Sequence, residues 1–312
     1  MKIGLIDIGS NTSKLLIAEL YKGPQKAFSI LEQISLPCRL ISQTQTSENH
    51  LGQSESKLLI QCLSTFQKSC LKHKTVQIKA VATEAFRIFS NTPQIIELIR
   101  QETGIAIRVL SGLDEARYVA LGLQTDPMIK DRSDFTALDI GGGSIEFIQV
   151  TNEMVKEVAS LPLGAVSVAR KHPANSEGTL PSQCREEVGR FIRESIKENL
   201  SHFHSKPHML VGTGGTLVFT RKILEQSGKV TPSGSLSHTD LQQLVKEVCD
   251  IPTCNRILSF PDLPKDRADI FPYGLLSVIE IMKFFKSMNL THSYHNLRYG
   301  LLQEMLGKST DQ

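Results

Sequence analysis

The sequence predicts an α/β protein of two lobes built on one repeated plan, and three observations carry that expectation. The first is the stretch Phe135 to Val150, where apolar runs from Phe135 to Ile140 and from Ile145 to Val150 flank Gly141-Gly142-Gly143-Ser144. Two buried strands joined by a tight turn that glycine makes easily account for it. The second is a copy of this pattern near the N-terminus, Asp7-Ile8-Gly9-Ser10-Asn11-Thr12-Ser13-Lys14, between the apolar runs Ile3 to Ile6 and Leu15 to Ala18. Asp7 aligns with Asp139, Gly9 with Gly141, Thr12 with Ser144 and Lys14 with Glu146, at a constant offset of 139 − 7 = 132 residues, a length that suits one lobe of a duplicated fold. The third is size: 312 residues suffice for two cores at roughly 100–200 residues each.

Taken in order, the chain alternates strand and helix signals. After the first hairpin, Phe28 to Leu36 reads as a strand ending at Pro37, and Arg39 to His50 as a polar, exposed loop near the cleft. Leu58, Leu59, Cys62, Leu63 and Phe66 give Leu51 to His73 a helical period. A strand from Val76 to Ala82 follows, then a helix from Pro93 to Thr103 stopped by Gly104, a strand from Ile105 to Leu110, and a helix from Ser111 to about Leu123. The polar connection Asp126 to Ser133 separates the lobes, 1–125 and 126–312, with a closing helix at about 297–308 that is free to pack back on the first lobe. In the second lobe the pattern gives a strand from Met154 to Ser160, a short helix after Leu161 to Val166, a loop from His172 to Pro181 and a helix from Cys184 to Asn199. A strand from Met209 to Val211 leads through Gly212-Thr213-Gly214-Gly215-Thr216 into a helix, Leu217 to Gln226. Ser237, with Asp240 three residues on, caps a helix to Cys249. A long apolar helix runs from Ile270 to Met288, kinked at Pro272 and Gly274, and Ser293 to His295 forms a strand before the closing helix.

Composition narrows the function. Hydrophobic content of 40% and charge of 21% are those of a globular protein in water. Lys+Arg 35 against Asp+Glu 32 leaves +3, and no basic run follows one helix, which argues against a nucleic-acid partner. No stretch approaches the ~20 apolar residues of a membrane span, and Met1-Lys2-Ile3-Gly4 enters a strand with no signal-peptide pattern, so a cytoplasmic protein is expected. Six scattered cysteines without a CxxC pair read as free thiols.

The chemistry concentrates in the turns. Consecutive glycines leave backbone N–H groups uncovered, a nest for phosphate oxygens. Asp139 and Glu146 at the ends of the second turn would repel that phosphate unless a divalent cation intervened; they and Asp7 are the expected metal ligands. Two such hairpins facing each other would clamp a polyanion between lobes, with Lys14 supplying a cation on one side. Thr83 and Arg87 follow the strand ending at Ala82, where ligands of open α/β sheets gather; a helix cap and a surface arginine fit equally. Asp114 and Glu115 either complement the dipole of their helix or orient and deprotonate water. The N-terminus of the helix after Gly214, Gly215 and Thr216 can face an anion. Arg267 is either a surface ion-pair partner or a phosphate contact. His202, His204 and His208, and likewise His292 and His295, read as solvated loop histidines rather than metal ligands.

The ordered set Asp-Ile-Gly-Ser-Asn-Thr (7–12), Ala-Thr-Glu-Ala-Phe-Arg (82–87), Ser-Gly-Leu-Asp-Glu-Ala-Arg (111–117), Asp-Ile-Gly-Gly-Gly-Ser-Ile-Glu (139–146), Leu-Pro-Leu-Gly-Ala-Val (161–166), Gly-Thr-Gly-Gly-Thr (212–216) and Arg-Ala-Asp (267–269) resembles the exopolyphosphatase/guanosine pentaphosphate phosphohydrolase family over essentially the whole chain. That family belongs to the actin/Hsc70/sugar kinase superfamily, so the resemblance implies two RNase H-like lobes around a central cleft. It also implies hydrolysis of a terminal phosphoanhydride with Mg²⁺ or Mn²⁺, acting on inorganic polyphosphate and on guanosine polyphosphates such as pppGpp. Carried over by residue, Glu115 matches the base for the attacking water, and Asp139 and Glu146 the acidic groups that serve metal and water. Gly141, Gly142, Gly143 and Ser144 match one phosphate loop, Ser10, Asn11 and Thr12 the other, Arg87 a substrate-phosphate arginine, and Arg267 a position that contacts guanosine polyphosphates.

Two departures are local: Ile145 stands where threonine is commoner, and Tyr299 where an acidic residue is usual. Long members carry a further helical HD-type domain, and the absence of one here implies a short form with poorer processivity and tolerance of short chains or nucleotides; a homodimer is a separate expectation. Two other readings stay open, a regulatory binder of polyphosphate or (p)ppGpp with little turnover, and a small-molecule kinase of the same superfamily.

Overall fold

Residues 1–21, 28–41, 50–203 and 209–308 are described by the computed structural model. Their packing divides the chain into two units, Met1–Gly122 together with the chain from Leu297 onward, and Leu123–Asn296. The first begins with β1 (Lys2–Ile8), β2 (Thr12–Leu20), β3 (Phe28–Pro37), α1 (Gln53–His73) and β4 (Gln77–Ala82), and continues through α2 (Glu84–Ile88), α3 (Thr92–Thr103), β5 (Ile107–Val109) and α4 (Gly112–Leu123). Its sheet has the order β3-β2-β1-β4-β5, antiparallel among the first three strands of the chain and parallel from β1 through β4 to β5. Ile3, Leu5, Ile6 and Ile8 are all fully buried, as expected of a strand covered on both faces. Helix α1 lays Leu59, Cys62, Leu63, Phe66 and Cys70 inward, and packs so closely that a Cβ on Gly4 of β1 would lie 2.6 Å from Cys70 Sγ.

The second unit repeats the plan. It contains β6 (Phe135–Ile140), β7 (Ile145–Thr151), β8 (Met154–Leu161), α5 (Ala165–Lys171), α6 (Ser182–Asn199) and β9 (Leu210–Thr213). It continues with α7 (Gly215–Gln226), β10 (Ser235–Ser237), α8 (His238–Asp250), α9 (Thr253–Ser259), α10 (Phe271–Phe284) and β11 (Asn289–His292). The order β8-β7-β6-β9-β11 matches that of the first sheet strand for strand, with β10 added antiparallel at the edge. The chain is therefore α/β with two RNase H-like units. Residues Phe271 to Met282 of α10 are all buried, and the helix is packed around by α5, α6, α7 and α8, so it forms the centre of this unit's core. Each large apolar side chain sealed there contributes roughly 1.5–3 kcal/mol.

Three expectations are corrected here. The apolar helix ends at Phe284 rather than Met288, because Lys286 turns left-handed (φ 51°) and Ser287 N–H closes back on the Met282 carbonyl at 2.9 Å. Pro272 does not kink it; proline sits in the first turn, where no N–H is needed. The last strand is Asn289–His292, four residues before the stretch read as a strand. By contrast, Ser237 caps α8 as expected, its Oγ accepting from Asp240 N–H at 3.1 Å.

The closing helix, Leu297–Lys308, packs against β1 and β2 of the first unit. Arg298 Nη1 donates to the Leu15 carbonyl at 3.0 Å, Tyr118 OH donates to Glu304 Oε1 at 3.1 Å, and Lys79 Nζ pairs with Glu304. Gly300 is where helix meets helix, since a Cβ there would stand 1.8 Å from the Tyr118 carbonyl oxygen. Gly300→Ala should accordingly destabilise the protein by at least ~1–3 kcal/mol, as overpacking does. Gly307→Ala on the same helix, with nothing within 4 Å of the new Cβ, should be neutral or slightly stabilising. Thermal unfolding of the two variants checks the contrast.

Candidate phosphate-binding and catalytic site

The two turns share one hydrogen-bonding scheme. Gly9 N–H donates to the Thr12 carbonyl at 3.2 Å and Gly141 N–H to the Ser144 carbonyl at 3.0 Å, the same bond at corresponding positions. Asp7 stands opposite Lys14 and Asp139 opposite Glu146 in the ladders below. Carbonyls of both turns are taken up by a neighbouring segment of the same unit. Leu40 and Cys38 N–H donate to Ser10 and Asn11, at 2.8 and 3.0 Å. In the second unit Ala165, Val166 and Gly164 N–H donate to Gly141, Gly142 and Gly143, at 3.3, 2.7 and 3.1 Å, and Ser167 N–H shares the Gly142 oxygen at 3.2 Å. A trans peptide points its N–H opposite its C=O, so the amides of Asn11, Gly143 and Ser144 face away from those segments. Among the described residues the amides of Ser10, Asn11, Gly142, Gly143 and Ser144 donate to no backbone carbonyl. Each turn can thus accept an oxyanion. At Gly9 and Gly141 an added Cβ would lie 3.1 and 3.0 Å from the Thr12 and Ser144 oxygens, so a side chain there would press on the carbonyl that closes each turn.

In the first unit the two carboxylates at the start of α4 separate. Ser111 Oγ caps the helix by accepting from Asp114 N–H at 3.0 Å, and Asp114 pairs outward with Arg108 at 3.1 Å. Glu115 turns inward, 6% exposed, and its Oε2 accepts from Arg87 Nη1 at 2.7 Å, the same nitrogen that donates to the Leu110 carbonyl at 3.0 Å. Arg87 is therefore not a surface arginine. Thr83 makes no side-chain cap for α2; its hydroxyl donates instead to the Ile8 carbonyl at 3.4 Å, tying the end of β4 to that of β1. Between them lies a residue the sequence reading did not single out. Glu84 Oε2 accepts from Ser10 Oγ at 3.4 Å, and burial raises its pKa, against the opposing pull of Arg87 and the Ser10 bond.

In the second unit Glu146 is 1% exposed and its Oε1 accepts two hydroxyls, Ser144 Oγ at 2.6 Å and Ser160 Oγ at 2.8 Å. Ser160, directly opposite Glu146 in the β7–β8 ladder, is a second residue missed from the sequence. The third glycine turn joins the hairpin through backbone. Gly214 has φ 106°, and a Cβ on it would lie 2.3 Å from the Ile140 carbonyl oxygen. Gly215 lies under the Arg267 guanidinium, where a Cβ would be 2.4 Å from Nη1, and Arg267 also stacks on Phe219 at 5.4 Å. Thr216 is buried against Gly274, whose added Cβ would meet its Oγ1 at 2.4 Å. A buried arginine supports this corner: Arg256, fully enclosed, donates to the Val248 carbonyl at 2.9 Å and to the Ala268 carbonyl, next to Arg267, at 2.7 Å.

Among the described residues no group of three or more His, Cys, Asp or Glu side chains could hold a metal ion unaided. The carboxylate pair Asp139 and Glu146 still suits a hard divalent cation such as Mg²⁺, which binds through one or two carboxylates and otherwise keeps water and phosphate oxygens. Burial pushes the Cys38 thiol beside the first turn up to about 12, which disfavours its thiolate.

Further corrections concern loops. His292 is not solvated: it is 3% exposed, and burial pushes its pKa down to about 3. His295 Nδ1 lies 2.6 Å from Thr125 Oγ1. His202 is exposed as expected, whereas His204 and His208 lie outside the described residues. The loop expected from Arg39 to His50 begins with Leu40 and Ile41 buried, and residues 42–49 lie outside the described residues.

A duplicated RNase H-like fold, with a turn of open backbone amides in each half, is the class to which this protein is assigned by its architecture. The chain belongs to the Ppx/GppA phosphatase family, whose profile matches residues 17–309. Exopolyphosphatase 1 of Mycobacterium leprae (strain TN) is 30% identical over 171 residues, 55% of this chain and 49% of that protein, so the match spans about half the length of this curated relative. The crystal structure of the Aquifex aeolicus family member is 27% identical with a TM-score of 0.78, covering 99% of this chain and 98% of that one. An exopolyphosphatase from Cytophaga hutchinsonii ATCC 33406 shares the fold at a TM-score of 0.87 and 23% identity, with 99% and 98% covered.

Two outcomes follow from these contacts. A Cβ on Gly164 would lie 2.5 Å from both the Gly142 oxygen and the Gly143 carbonyl carbon, backbone atoms that cannot yield without opening the turn. Gly164→Ala should cost any activity of the site on the order of 10²-fold, the scale of a misplaced catalytic group. Rates measured on protein shown to be folded check this. For Glu84 the raised pKa means that the folded state binds a proton more tightly than the unfolded chain. Its contribution to stability is then fullest below the ordinary value of 4.5 and is lost as pH rises through the elevated one. Glu84→Gln should therefore raise the melting temperature above neutrality, with the gain vanishing below pH 4.5.

Proposed function

We propose that this chain is an exopolyphosphatase that hydrolyses the terminal phosphoanhydride of inorganic polyphosphate, with pppGpp as a further substrate. The observation that carries the reading is the buried Glu115, held by Arg87 at 2.7 Å on the first turn of α4. Family membership and the exopolyphosphatase relative support it. A carboxylate fixed in this way orients a water molecule by accepting one of its protons. The water oxygen attacks the terminal phosphorus in line and the bridging P–O bond breaks. The shortened chain leaves with the bond's electron pair, and the water's proton passes to Glu115. Phosphoryl transfer of this kind needs little covalent help, so positioning and charge compensation dominate.

Those tasks fall to groups already described. Open amides of the turns receive phosphate oxygens, and Arg87 and Lys14 offset their charge. Arg267, lying over the N-terminus of α7, suits the more extended guanosine polyphosphates. Mg²⁺ or Mn²⁺ would be held by Asp139 and Glu146, and when bound would supply positive charge to the phosphate oxygens.

Phosphate release from short and long polyphosphate and from pppGpp, with and without Mg²⁺, tests the proposal. Release should require the metal and should exceed that from ATP. Glu115→Gln should still bind polyphosphate while losing at least ~10²-fold in turnover. Undiminished turnover would remove Glu115 from the mechanism, and binding without any release would leave a polyphosphate-binding protein instead.

A further inference from the structure

The first turn holds a buried hydrogen-bond donor that no described residue engages. Asn11 is 3% exposed, its Oδ1 accepts from Arg39 Nε at 3.0 Å, and its Nδ2 is buried with no hydrogen-bond partner among the described residues. Buried amide nitrogens are nearly always satisfied, so one left open marks a place for a ligand oxygen. The orientation is set from one side. An arginine Nε–H can only donate, so the bond fixes which end of the side-chain amide is oxygen and leaves the nitrogen on the opposite side. Arg39 is itself held in place, because the amides on either side of it, Cys38 and Leu40, donate to Asn11 and Ser10, and both of these neighbours are fully buried.

We propose that Arg39 is a positioning residue: by holding Asn11 Oδ1 it presents Asn11 Nδ2 as a donor to an oxygen of a bound oligophosphate. The inference rests on the reading of the Ser10 to Thr12 turn as a phosphate site. It assigns to Arg39 a role through hydrogen bonding to Asn11, not through its charge on the ligand. Arginine elsewhere in such sites acts by its charge, so the two roles can be told apart.

Tripolyphosphate binding, measured by calorimetry, and phosphate release, resolved into KM and kcat, provide the test. Arg39→Ala and Asn11→Ala should each weaken binding about tenfold, the scale of one hydrogen bond to a charged group, and should raise KM more than they lower kcat. The double variant should be no weaker than Asn11→Ala alone. Arg39→Gln, neutral but still able to donate to Oδ1, should recover most of the affinity. In the unaltered protein the Asn11 side-chain amide resonances should shift on adding tripolyphosphate, a readout that requires no variant to fold. Additive losses, an Arg39→Gln protein as weak as Arg39→Ala, or unmoved Asn11 resonances would each overturn the proposal. Wild-type protein that binds tripolyphosphate without releasing phosphate would sink the hydrolase reading and leave this one standing. Wild-type protein that binds no tripolyphosphate would sink both.

Discussion

The planar peptide is the constraint on which the rest depends. A turn whose carbonyls are drawn into the protein must turn its amides outward, and both hairpins use this. In the first unit the partner is an extended segment, Cys38 to Leu40; in the second it is the N-terminus of α5. Different neighbours reach the same result at Gly9 to Thr12 and at Gly141 to Ser144. The shared feature of the two halves is thus the direction of a few backbone dipoles, and no side chain has to be the same for that direction to be kept.

Around these turns the acids are placed by specific partners. Glu115 answers to one guanidinium and Glu146 to two hydroxyls. Bonds of this kind limit the rotamers open to a carboxylate, and a fixed carboxylate loses less entropy when it engages water or a cation. Glu84, mostly enclosed beside Ser10 and Arg87, extends the pattern without a partner that fully offsets its burial.

Much of this was legible from residue order alone, for identifiable reasons. The hairpins announce themselves because strand, turn and strand are contiguous, and the common offset of 132 residues exposes the duplication. Helices with a clear apolar stripe, such as α1 and α8, are equally plain. What stayed hidden depends on distance along the chain. Ser10 and Glu84 meet across 74 residues, and Asn11 and Arg39 across 28, so spacing holds no trace of either pair. The three-residue strand Ser235–Ser237 is too short for any period. Apolar character runs on past Phe284, so composition could not mark where α10 ends; the left-handed turn at Lys286 does. His292 looked like a loop residue because nothing in its local sequence shows that the end of β11 is enclosed.

Gly164 sets a final condition on the second turn. Its amide, with those of the three residues after it, is bonded to the glycine carbonyls, and Gly142 alone serves two of them. The loop therefore cannot lift away unless the opening coil of α5 unravels with it. Strand turn and helix start form one mechanical piece, stiff as long as the helix is wound, and the stretch from Leu161 to Val166 is bound to keep its shape for reasons of leverage as much as of contact.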